Sequence, residues 1–125
     1  MLQCRRPLVI LALILLSGLS HAEVVTPEQF WQHHQASQHG KPLIIDVRTN
    51  DEFLAGHLPN AINIPYDQIE RLTNIAEDKS QAIFLYCRSG RRSAIAEQAV
   101  LKQGYSNVYN GESYEALLEA LPAKK

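Results

Sequence analysis

Residues 82–93 read AIFLYCRSGRRS: a continuous apolar run, then a cysteine, then a short polar stretch holding one glycine and three arginines. Ala82 to Tyr86 has the character of a buried strand, covered on both faces. The strand delivers Cys87 at its C-terminal end. A loop follows, and helical spacing resumes from about Ser93 to Gln103, with Gly104 placed to end the helix. A buried strand passing through a tight loop into a helix is the repeating unit of a parallel α/β sheet.

The chain on either side repeats the unit. Leu43 to Val47 is a second uninterrupted apolar run with β-branched residues, ending in Asp46-Val47-Arg48. Before it, Glu23 to Val25 can form a short strand. Thr26-Pro27-Glu28-Gln29 then supplies an N-cap, a first-turn proline and a capping-box glutamine for a helix to about Gln38. After it, Thr49-Asn50-Asp51-Glu52 opens a short helix that stops near Gly56, and Ala61 to Ile64 reads as a strand closed by Pro65. An amphipathic helix is expected from Asp67 to Ala76, with Ile69, Leu72 and Ile75 or Ala76 on its apolar face. Val108-Tyr109 and Ser113 to Leu121 complete the pattern as a strand and a helix. This alternation predicts a parallel sheet with helices on both faces, and ligands of such sheets gather beyond the C-terminal ends of the strands. Asp46, Arg48 and Cys87 all fall there.

Residues 1–22, MLQCRRPLVILALILLSGLSHA, have a different character. Arg5 and Arg6 precede an apolar core from Leu8 to Leu16, and Ser20-His21-Ala22 offers a small-x-small cleavage site. The apolar run is far short of the roughly 20 residues a membrane-spanning helix needs. It reads as a removable export signal, which predicts a periplasmic protein with no stable membrane span and a mature domain over residues 23–125. Cys4 leaves with the signal, so Cys87 becomes the only cysteine. Exported proteins usually pair their cysteines. A lone thiol there calls for another use.

Removal of the leader leaves ten Lys/Arg against thirteen Asp/Glu, a mildly acidic chain for which nucleic acid is a poor partner. Three of those ten cations, Arg88, Arg91 and Arg92, crowd into five residues around the thiol, which describes a focused anion site. The loop suits that purpose. Gly90 permits backbone angles that let successive amides of Arg88 to Ser93 converge on one anion, and the helix start adds positive potential. Bringing a thiol pKa from about 8.5 to about 6.5 takes about 2.7 kcal/mol. A helix terminus contributes about 0.3–1 kcal/mol and hydrogen bonds to a charged group about 1.5–3 kcal/mol, so the shift is attainable without the arginines supplying all of it. The arginines are then free to attract and orient an anionic substrate through their forked donors. The alternative reading of the same residues is a solvated basic turn around an inert cysteine. No metal site is expected, because His33, His34 and His39 lack the i, i+4 spacing of a zinc-binding helix.

Residues 46–65, DVRTNDEFLAGHLPNAINIP, resemble the rhodanese-family stretch D-V-R-x-x-x-E-[FY]-x-x-G-H-[IL]-x-[GN]-A-x-N-[IV]-P, and Cys87 stands at the family's distance downstream. The resemblance implies a three-layer α/β/α fold around a five-stranded parallel sheet. It also implies a thiosulfate sulfurtransferase without cofactors, in which Cys87 takes the outer sulfur of thiosulfate, sulfite leaves, and cyanide or a thiol collects the sulfur from a persulfide. Arg88, Ser89, Gly90, Arg91, Arg92 and Ser93 become the substrate-binding loop. Asp46, Arg48 and Glu52 are supporting positions whose simpler role is a structural ion-pair and hydrogen-bond set, and His57 is expected to be structural as well. Near the C-terminus the family shows a glycine pair followed by an aromatic. Here Asn110-Gly111-Glu112-Ser113-Tyr114 keeps one glycine and has Tyr114 where tryptophan is frequent.

Two other readings compete. Cysteine-dependent phosphatases and arsenate reductases hold a tetrahedral oxyanion with Cys-x5-Arg, whereas the sixth residue after Cys87 is Ser93 and the arginine comes one place earlier. A rhodanese-like regulatory module without turnover is the non-enzymatic alternative, and such modules often lack the cysteine that is present here.

Overall fold

Side-chain alternation along the two central strands sets the layering. In the computed structural model, which describes residues 21–123, strand β4 (Ile83–Cys87) sends Ile83, Leu85 and Cys87 to one apolar cluster and Phe84 and Tyr86 to the other. Strand β2 (Leu43–Asp46) likewise divides Ile45 from Ile44. A sheet apolar on both faces must be covered on both. Helix α3 (Arg91–Lys102) brings Ala96 and Val100 to the first cluster, joined by Ile69 and Leu72 of a 3-10 segment, Tyr66–Asn74. Helices α1 (Pro27–Ala36) and α4 (Tyr114–Glu119) bring Phe30, Trp31 and Leu117 to the second.

Strands β1 (His21–Val24), β3 (Ile62–Asn63) and β5 (Asn107–Ser113) complete a five-stranded sheet of order β1-β5-β4-β2-β3. Every adjacent pair is parallel. This is the three-layer α/β/α architecture expected from the sequence, with the short helix α2 (Asn50–Ala55) between β2 and β3. Among the described residues no helix is long and apolar enough to cross a membrane.

Local departures have local causes. The expected helix over 67–76 is instead 3-10, broken at Gln68 (φ −123°). Apolar residues three apart serve a 3-10 turn as well as an α-turn, so Ile69 and Leu72 are still buried. Helix α3 begins at Arg91 rather than Ser93, because the left-handed Gly90 (φ 105°) completes the turn early. Strand β5 runs on to Ser113 and carries a bulge: Leu85 pairs with Asn110 but Cys87 pairs with Ser113, leaving one more residue on β5 than on β4. Gly111 lies in that bulge, where a Cβ would stand 2.6 Å from Phe30 Cδ2 and 2.9 Å from Leu117 Cδ1. Only glycine lets β5 approach α1 and α4 so closely. The expected leader, residues 1–22, lies outside the described residues except for its last two. These belong to β1, which therefore begins before the expected Glu23.

Candidate active site

Parallel pairing brings the C-terminal ends of β2, β4 and β5 to one edge of the sheet. Cys87, the last residue of β4, is 1% exposed there. The Gly90 amide donates to Cys87 Sγ at 2.9 Å, a contact that depends on the left-handed turn at that glycine. Ser93 Oγ lies 3.3 Å from the same sulfur and 3.1 Å from the Gly90 carbonyl oxygen. A hydroxyl has one proton. It donates to Gly90 while sulfur carries its own proton, and turns to donate to sulfur once the thiolate forms. Burial pushes the Cys87 thiol up, but the Ser93 hydroxyl and the amides of Ser93, Gly90 and Ser89 outweigh it, so the thiol ends below its ordinary value.

The three arginines divide. Arg92 is held in a fork by Glu52, Nη1 to Oε1 at 2.6 Å and Nη2 to Oε2 at 3.0 Å. Glu52 occupies the N3 position of α2, where its carboxylate also accepts from the Thr49 amide at 3.2 Å and hydroxyl at 3.1 Å. Arg88 and Arg91 are exposed and make no ion pair among the described residues. Arg91 reaches toward Tyr66, with its guanidinium 6.0 Å from the ring centre. Arg88 lines a cleft of about 310 Å³ together with Arg48, Glu52, Ala55, Tyr114 and Glu115.

The Arg92 hydrogen bond, aided by Thr49, pushes Glu52 down from 4.5 to about 2 against partial desolvation. A carboxylate whose pKa is depressed by folding stabilises the fold above its unfolded pKa and loses that contribution as pH falls toward the folded one. Glu52→Gln should therefore lower the urea midpoint by a pH-independent amount above about pH 5.5, worth about 1 kcal/mol for so partly exposed a pair. The gap should close between pH 4.5 and about 2. If the gap persists unchanged at pH 2, the ion pair is not its source.

Asp46 and Arg48 form a second, deeper pair. Arg48 Nη2 lies 2.7 Å from Asp46 Oδ2 and donates to the Gly56 carbonyl at 2.6 Å, while Nε and the Arg48 amide bond to Oδ1 at 3.0 and 2.9 Å. The Tyr86 hydroxyl donates to Asp46 Oδ2 at 2.8 Å and accepts from the Leu58 amide at 3.1 Å. Burial pushes that phenol well up. Tyr114 closes the arrangement by laying its ring 4.3 Å from the Arg48 guanidinium. Asn63 Nδ2 ties the Asp46 and Arg48 carbonyls, each at 3.0 Å. These contacts place Asp46 as a buried support behind Arg48, which lines the cleft. His57 serves only α2, stacked 3.8 Å from Phe53 with Nδ1 donating to the Phe53 carbonyl at 2.9 Å.

Sequence reasoning missed two participants. Tyr86 reads as one more apolar strand residue, and nothing in its spacing reveals the buried carboxylate it meets 40 residues away. Glu112 sits in the β5 bulge with φ 64° and lays its side chain against Gly90. The available signal was a glutamate beside the one glycine kept of the pair that the resemblance leads one to expect.

A parallel five-stranded α/β/α domain with a cysteine at the end of the fourth strand, cradled by amides of a glycine-bearing loop, defines the rhodanese class. Residues 26–114 match the Rhodanese-like domain family, and the chain belongs to it. Among curated relatives, "Thiosulfate sulfurtransferase PspE" of Escherichia coli (strain K12) is 36% identical over 67 residues, 53% of this chain and 64% of the relative. "Uncharacterized protein YqhL" of Bacillus subtilis (strain 168) is 36% identical over 89 residues, 70% of this chain and 65% of the relative. The matched segments thus span just under two thirds of those relatives' lengths. The solved structure "rhodanese with anions from E. coli" superposes with a TM-score of 0.58 at 32% identity, over 60% of this chain and 89% of its own.

Proposed function

We propose that this protein is a sulfurtransferase that carries a sulfane sulfur as a persulfide on Cys87. The observation that carries the reading is the cradle itself, a buried thiol receiving the Gly90 amide at 2.9 Å with the Ser93 hydroxyl at 3.3 Å. A persulfide is an anion one sulfur longer than a thiolate, and the same donors suit both. With thiosulfate as donor, the Cys87 thiolate attacks the outer sulfur, the donor S–S bond breaks, and sulfite leaves with its electron pair. Cyanide or a thiolate then attacks the outer sulfur of the persulfide and restores the Cys87 thiolate, so no proton or external electron is required. Cys87 is the only free cysteine among the described residues, which makes the acceptor an external one.

Exposed Arg88 and Arg91 are suited to draw in the anionic donor, while Arg92 braces the loop against α2 through Glu52. That bracing, with Ser93 at the sixth place after Cys87, also argues against a phosphatase, whose arginine must face the oxyanion. The leader-like residues 1–22 extend the proposal to an exported, periplasmic protein.

The test is to incubate the protein with thiosulfate and weigh it intact, then to add cyanide and assay thiocyanate. One sulfur atom gained on Cys87, followed by thiocyanate release, is the expected result, with the apparent KM rising as salt screens the arginines. Absence of both adduct and thiocyanate overturns the reading.

A further inference from the structure

The β5 bulge ends in a carboxylate for which sulfur transfer supplies no task. Glu112 adopts a left-handed backbone (φ 64°) that disfavours a side chain. Its turn is fixed from both sides, by its amide donating to Asn110 Oδ1 at 3.0 Å and by Gly111 wedged against Phe30 and Leu117. Bulges beside active sites re-aim side chains, and this one aims Glu112 at the catalytic loop. A Cβ on Gly90 would lie 3.2 Å from Glu112 Oε2 and 3.4 Å from its Cβ. The same Gly90 holds Cys87 Sγ through its amide at 2.9 Å. With ordinary bond lengths these contacts bound the separation of carboxylate and sulfur at about 9 Å.

Two of the nearby arginines are already paired, Arg92 with Glu52 and Arg48 with Asp46. Among the described residues no Lys or Arg lies within ion-pair distance of Glu112. Arg88 and Arg91 thus attract an anion to the loop, and Glu112 opposes it from the β5 side.

We propose that Glu112 is a specificity-determining residue whose carboxylate disfavours doubly charged sulfur donors and tilts the site toward singly charged or neutral ones. The proposal rests on the sulfurtransferase reading, since it concerns the donor for that reaction. A fixed charge acts on a donor in proportion to the donor's own charge. At about 9 Å and an effective dielectric of about 40 to 80, the penalty is about two- to fivefold per unit of donor charge.

Thiosulfate, a dianion, and methanethiosulfonate, a monoanion that releases methanesulfinate by the same displacement, read this difference directly. Glu112→Gln keeps the shape that touches Gly90 and removes the charge. It should raise kcat/KM about four- to twentyfold for thiosulfate but only about two- to fivefold for methanethiosulfonate. Glu112→Asp should keep the wild-type ratio of the two. Any change in thiolate reactivity is common to both donors and cancels in that ratio.

A second readout is independent of sulfur transfer: the rate of Cys87 alkylation by anionic iodoacetate relative to neutral iodoacetamide, which should rise about two- to fivefold in Glu112→Gln. If both donors change by the same factor, or the alkylation ratio stays fixed, the proposal is overturned. If wild-type protein transfers no sulfur while the alkylation ratio still shifts, the sulfurtransferase reading falls and the charge effect stands.

Discussion

Replacing Cys87 by serine should abolish sulfur capture and leave the fold in place. The serine hydroxyl fits the volume, can accept from the Gly90 amide as the sulfur does, and can donate to Ser93 Oγ in place of the thiol. Its pKa is far too high for those donors to create an alkoxide at neutral pH, so the cradle remains without a nucleophile. Activity should fall by at least about a thousandfold, as expected when a covalent nucleophile is removed. Stability should change by no more than about 2 kcal/mol. Intact mass after thiosulfate, thiocyanate release and thermal melting give the three readings. Thiocyanate produced by the serine variant would mean that another atom carries the sulfur.

Asp46→Asn should be among the most destabilising single changes in the site. Asp46 is fully buried and Arg48 is 5% exposed, so neutralising the carboxylate strands a guanidinium in the protein interior. Breaking one side of a buried pair costs about 3–5 kcal/mol, much of it the uncompensated charge. For a domain near 100 residues this corresponds to a fall in melting temperature of about 12 °C or more. The damage should reach activity too, because Arg48 supports Tyr114 and both line the cleft beside Arg88. A second change, Arg48→Met, should restore part of the lost stability by removing the stranded charge. A shift below about 4 °C for Asp46→Asn would reduce the pair to the standing of a surface contact.

The contrast between the two acidic residues shows how far the sequence could be read. Asp46, Arg48 and Glu52 stood in one motif, and a structural ion-pair set was the simplest expectation for them. Sequence spacing could join Asp46 to Arg48, two residues apart at a strand end. It could not choose Arg92 for Glu52, because that contact crosses 40 residues and depends on how α2 packs beside the loop. The strand ending at Cys87 was legible because a strand buried on both faces tolerates no polar interruption. The 3-10 character of residues 66–74 was not, since burial of Ile69 and Leu72 satisfies two periodicities at once. Glu112 was hidden by a bulge, which shifts register without leaving any mark on apolar spacing.

The order of the strands bears on how the chain matures. β1 has one neighbour in the sheet, β5, and His21 pairs with Asn107 near the opposite end of the sequence. The Trp31 indole likewise donates to the Leu117 carbonyl, 86 residues away. A nascent polypeptide therefore cannot close its first strand until nearly all of it has been made. Non-local parallel pairing of this kind forms slowly, because the loop-closure entropy must be lost before the contacts are gained. The segment joined directly to residues 1–20 is thus the one whose docking waits for the last strand. An unfinished chain therefore keeps the front of its described fold undocked until the last strand has been made.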